Sequence, residues 1–111
     1  MTHDELVRFA AEKVGAETRR LEDDRLTVFR VEISEVDGEQ VDIDIDEDLT
    51  SPELLLKGLE VLIREGVEFL IEPGYVHVAI PDNTVSAPVK EIADLPLKFW
   101  TAWAELEGGQ G

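Results

Sequence analysis

Hydrophobic positions along the chain change their period several times, and each change marks an element. Leu6, Phe9, Ala10 and Val14 recur at helical spacing. They follow Thr2-x-x-Glu5, a capping box, and precede Gly15, which ends a short amphipathic helix. Residues 16–22 are expected to be a strand, with Asp23-Asp24 as its turn. Alternation is cleaner in the next two segments. Thr27, Phe29, Val31 and Ile33 alternate with polar or charged residues after Val28, and Val41, Ile43 and Ile45 alternate with Asp42, Asp44 and Asp46. Cross-strand neighbours share a face. The apolar pattern therefore pairs Phe29 with Ile45, Val31 with Ile43 and Ile33 with Val41 around a three-residue loop, Val36-Asp37-Gly38, with glycine in the left-handed position. In that register Glu32 faces Asp42, Arg30 faces Asp44, and the Asp row points away from the core.

Ser51-Pro52 starts a second helix, with serine as N-cap and proline in the first turn. Leu55, Leu59, Leu62 and Ile63 supply its expected buried stripe, and Gly66 ends it. A second hairpin follows around Pro73-Gly74. Its turn matches Val67, Phe69 and Ile71 with Ile80, Val78 and Val76 on one face. The other face pairs Glu68 with Ala79, Leu70 with His77 and Glu72 with Tyr75. Pro81-Asp82-Asn83 closes the hairpin, 85–93 has no clear period, and a last helix is expected from Leu95 to Glu107. The fold class is α+β: one domain over 1–107 and a loose tail over 108–111. An antiparallel sheet of four or five strands, in two hairpin groups, packs under about three helices in the order α-β(2–3)-α-β2-α. With three strands in the first group, this element order resembles the secretion-chaperone-like fold, whose members include small acidic dimeric chaperones. The resemblance is one of element order; no residue motif carries it.

Charge changes the picture more than composition does. The 111 residues hold 26 acids and 10 bases, for a net charge of −16. Val31–Glu53 contains ten acids and no base, so −10 sits in that one segment and −6 in the rest. Such a chain repels nucleic acid and anionic membranes and suits basic surfaces or cations. Adaptation to high salt would spread the acids more evenly, although six Arg against four Lys leans toward it. No apolar run approaches a membrane span, no signal-peptide pattern is visible, and there is no cysteine for a disulfide, thiol nucleophile or zinc site. A cytoplasmic location is the simplest expectation. A domain this small is marginally stable alone, which leaves room for a homodimer.

Counted from Asp42, acids fall at loop positions 1, 3, 5 and 7, with Thr50 at 9 and Glu53 at 12, close to a calcium-loop spacing. Glu47 stands where that loop needs glycine, no helix enters it, and side chains about 7 Å apart along a strand do not converge on one ion. The acids read better as a solvated or partner-binding face made of Glu32, Asp42, Asp44, Asp46, Glu47 and Asp48. Carboxylates about 7 Å apart approximate the phosphate spacing of a nucleic-acid strand. His3 and His77 are the only histidines, and no nucleophile elbow, P-loop or H-E-x-x-H is present. His77 is expected near Glu68 and Glu72. Trp100 and Trp103 on the last helix read first as core, and second, with Leu70 and Tyr75, as an oligomer interface.

The expected function is non-enzymatic, with no cofactor and no metal ligand set. It is a small acidic protein engaging a basic protein, including nucleic-acid-binding ones, through the acidic hairpin. Inhibitor, nucleic-acid mimic of the anti-defence (anti-CRISPR) type and immunity protein are the candidate roles. The alternatives are a salt-adapted housekeeping domain, a secretion-chaperone-like dimer and a divalent-cation-binding module.

Overall fold

A computed structural model describes residues 2–108. Three α-helices and six strands run in the order α1 (His3–Val14), β1 (Glu17–Arg20), β2 (Leu26–Val36), β3 (Glu39–Glu47), α2 (Pro52–Arg64), β4 (Glu68–Glu72), β5 (Tyr75–Ile80), β6 (Asn83–Pro88) and α3 (Leu95–Gly108). A helix followed by a three-stranded meander thus occurs twice before the last helix. The strands do not form the single sheet of four or five that the sequence suggests. They form two antiparallel sheets of three, β1-β2-β3 and β4-β5-β6. The additional strand is β6. Pro88 hides it in the sequence, but it lies on an edge strand at the final position, where a missing N–H costs no ladder bond. Of the expected tail, Gly108 is the last residue of α3, and 109–111 lie outside the described residues.

Local chemistry explains the helix ends. The Thr2 hydroxyl accepts from the Glu5 N–H at 3.2 Å and the Ser51 hydroxyl from the Leu54 N–H at 3.2 Å. Gly15 closes α1 in the left-handed conformation. α3 is the centre of the molecule. It packs on β5 and β6 and against α1 and α2, while α1 covers β1 and β2. Phe99, Trp100, Ala102, Trp103, Ala104 and Leu106 are all buried. Trp100 lies so close to Gly58 of α2 that a β-carbon there would stand 2.5 Å from the ring, so glycine is what allows these helices to touch. The buried residues of α2 are Leu54, Leu55, Gly58 and Leu62; Leu59 is half-buried, and Ile63, expected in the core, is exposed. At the far end Lys13 of α1 reaches Glu65 at 2.9 Å and Glu107 at 2.8 Å, tying all three helices together above the Trp103 ring. Burial opposes its charge, but the hydrogen bonds to Glu107 and Glu65 outweigh that and hold Lys13 above its ordinary value.

Candidate interaction surface on the acidic ribbon

β1 pairs with β2 only from Leu26 to Phe29. Beyond that point β2 and β3 continue as a two-stranded ribbon, open along both edges. Its register differs from the expected one by a single residue. Phe29 pairs with Asp46, Val31 with Asp44, Ile33 with Asp42, Arg30 with Ile45 and Glu32 with Ile43. The turn is the two-residue Asp37-Gly38 with φ of 52° and 80°, both left-handed, as a type I′ hairpin requires. The expected register would have set Glu32 against Asp42 and Glu35 against Glu39. The observed one sets no acid directly opposite another, which removes that repulsion.

A one-residue shift exchanges faces. Phe29, Val31 and Ile33 therefore share a face with Asp42, Asp44 and Asp46, and Val41, Ile43 and Ile45 share the other with Arg30, Glu32 and Ser34. These aliphatics are not the core they were expected to be. Val31 is 50% exposed, Ile33 69% and Ile43 42%. Only the base of the ribbon is covered, through Leu26 and Val28.

The six acids read as one binding face therefore divide. On the Asp face, Arg19 donates from Nε to Asp46 at 3.0 Å, closes a second bond to the same carboxylate, and reaches Asp44 at 3.3 Å. Its guanidinium stacks over Phe29, 4.2 Å from the ring centroid. The Thr27 hydroxyl also donates to Asp46 at 2.8 Å. Hydrogen bonding from Arg19, joined by Thr27 and opposed by partial burial, holds the Asp46 carboxyl below the usual aspartate range. On the opposite face Arg30 bonds Glu32 and reaches Glu47 at 2.9 Å. Glu47 is buried and also accepts from the Ser51 hydroxyl at 2.7 Å, so it is a structural anchor rather than a contact residue. Asp48 lies beyond the strand and turns back on Thr50, whose hydrogen bonds lower its pKa. Asp42 is the one member of the six with no ion pair among the described residues. Toward the tip, Glu35, Asp37 and Glu39 likewise have none.

Arg19 and the exposed aliphatics are the site residues that sequence reasoning missed. Arg19 was legible only as a strand residue facing Thr27, once β1 was placed. The aliphatics could be reassigned only by giving the Asp-Gly turn precedence over the apolar pattern.

The other candidate residues lie elsewhere. Trp100 and Trp103 are wholly buried in the core and stacked at 5.7 Å, and their indole N–H groups have no hydrogen-bond partner among the described residues. Leu70 and Tyr75 are exposed on the open face of the second sheet, turned away from α3. On that face His77 lies 2.9 Å from Glu72 through Nε2 and 2.5 Å from Ser86 through Nδ1, while Glu68 stands opposite Ala79. This serine–histidine–carboxylate order is that of an activated nucleophile, but it sits across three strands of an open sheet with Glu72 and Ser86 exposed. The calcium-loop spacing does not become a loop. Asp42, Asp44 and Asp46 lie in an extended strand, Glu47 points to the opposite face, and no group of three potential ligands converges among the described residues. No helix among them is long and apolar enough to cross a membrane.

No protein-family model matches the chain, and no curated protein or solved structure is significantly similar to it. The expected likeness to the secretion-chaperone-like fold is not supported, since β6 adds a strand to the second group and the strands divide into two sheets.

Proposed function

We propose that this chain is a non-enzymatic binding protein that engages a basic protein partner through the β2–β3 ribbon. The observation that supports it is the mixture at the distal ribbon, where Glu35, Asp37, Glu39 and Asp42 have no ion pair among the described residues and lie beside exposed Val31, Ile33, Val36, Val41 and Ile43. A surface shaped only to remain hydrated in salt has no use for five exposed aliphatics on the two faces of one short ribbon. Together they form the composition of a contact surface, with apolar area for affinity and charge for steering and selectivity. Within this reading a protein surface suits the ribbon better than a nucleic-acid-binding groove. Two of the three aspartates that would imitate phosphates are bound by Arg19, and each stands beside an aromatic or aliphatic residue.

The test is affinity capture from the native host with the wild type and with a variant carrying Glu35→Gln, Glu39→Gln and Asp42→Asn. The wild type should retain basic proteins that elute as salt rises, because exposed charge pairs are screened within about 8–10 Å at physiological ionic strength. The variant should fold as well and lose them. Equal capture by both proteins sinks the proposal. A wild type that loses structure at low salt, with the variant rescued there, would favour salt adaptation.

A further inference from the structure

We propose that the outer edge of β3, Glu39–Glu47, receives an extended peptide segment in which Lys or Arg alternates with aliphatic residues, adding it as a fourth strand to the first sheet. This rests on the acidic-ribbon reading above and specifies the partner's conformation and side-chain pattern.

The edge is available. β3 is the terminal strand of its sheet, and its one extensive neighbour is β2. Its sequence, EQVDIDIDE, contains no proline and no glycine, and no residue in it has positive φ. None of the backbone devices that blunt an exposed edge is therefore present. A strand added here gains main-chain hydrogen bonds from the edge and specificity from alternate side chains.

β3 presents different chemistry on each side. Gln40, Asp42, Asp44 and Asp46 line one face, and Val41, Ile43 and Ile45 line the other. Residues of an added strand lie beside β3 residues on the same face, whichever direction that strand runs. Its cations then meet Asp42, which has no ion pair among the described residues, and its aliphatics extend the Val41-Ile43-Ile45 row.

A second copy of β3 does not satisfy this edge. Two β3 strands side by side place Asp against Asp in one set of registers. In the other set, shifted by one residue, they place Asp against Val or Ile. The first juxtaposes like charges and the second sets carboxylates against aliphatics. The edge is thus self-avoiding but complementary to a segment of opposite charge and equal period.

Fluorescence anisotropy with labelled peptides tests the proposal on the intact protein at low salt. The probes are a Lys-Val alternating peptide, its isomer with the lysines and valines in two blocks, a Glu-Val alternating peptide, and the Lys-Val peptide N-methylated along one edge or the other. The alternating Lys-Val peptide should bind at least about tenfold tighter than its block isomer, since only it matches both faces. One of the two N-methylated forms should lose binding, and Glu-Val should not bind. An Asp42→Lys protein should lose about tenfold or more for Lys-Val, since this position sets the charge preference. If both Lys isomers bind equally and N-methylation is harmless, strand addition is wrong while the acidic-ribbon reading stands. If neither Lys peptide binds, both fall.

Discussion

The hairpins β2–β3 and β4–β5 are both closed by two residues, Asp37-Gly38 and Pro73-Gly74. They distribute their apolar side chains in opposite ways. In β4–β5, Phe69 pairs with Val78 and Ile71 with Val76 on one face, and the other face carries Glu68, Leu70, Glu72, Tyr75 and His77. α3 packs on the apolar side of β5 and β6, where Val76 and Val78 are fully buried. In β2–β3 every directly opposed aspartate has an aromatic or aliphatic partner, so neither face is apolar throughout. A helix-covered sheet needs one apolar face and acquires one. A ribbon extending past its covering helix is free of that demand, and its register is left to the turn and to charge.

The largest expected contrast is energetic. Val78→Ala in the covered hairpin should cost about 2–3 kcal/mol of global stability, as deletion of buried methyl groups generally does. Ile43→Ala in the ribbon should stay within about 0.5 kcal/mol, as for a surface substitution. Urea unfolding followed by far-UV circular dichroism measures both. Equal losses would mean that the ribbon is packed in solution, against itself or another copy.

A smaller contrast lies in the turns. Gly38 and Gly74 have φ of 80° and 88°, where a β-carbon is unfavourable by about 1–2 kcal/mol. Gly74→Ala should show most of that in global unfolding. Gly38→Ala should show little of it there, because the ribbon can fray without opening the core, and should instead speed amide exchange over 33–41. Global destabilisation by Gly38→Ala would show the ribbon to be part of the cooperative unit.

The smallest effect concerns the Arg19 clasp. The Asp46 pKa lies below its unfolded value of about 3.9. Its contribution to stability is therefore present at neutral pH and is lost as pH falls through the lowered folded value. Asp46→Asn should be less stable than the wild type at pH 7, and the gap should close in acid, as measured by urea midpoints at both pH values. A gap independent of pH would assign the loss to hydrogen-bond geometry rather than to charge.

The same contrast explains what the sequence made legible. The caps at Thr2 and Ser51, the ends at Gly15 and Gly66 and the register of β4–β5 could all be read, because propensity, turn and burial pointed the same way there. The β2–β3 register could not be read from apolar alternation, since burial places no constraint on a face that nothing covers. Asp37-Gly38 held the correct answer as a two-residue signal. Likewise α2 presents more aliphatics than it buries. Gly58 rather than Ile63 lies on its core line, because the Trp100 ring occupies the space a larger side chain would need.

The burial of both tryptophans has a consequence for how this molecule behaves in light. Trp100 and Trp103 are the only two in the chain, and they stack on each other within one aromatic cluster that Phe99 and Phe9 join at steeper angles. Indole emission and the indole bands of the near-ultraviolet dichroism therefore report on the packing around α3. A guest on the distant ribbon would leave both signals dark to its arrival, whereas loosening of the helical core would shift emission to the red at once.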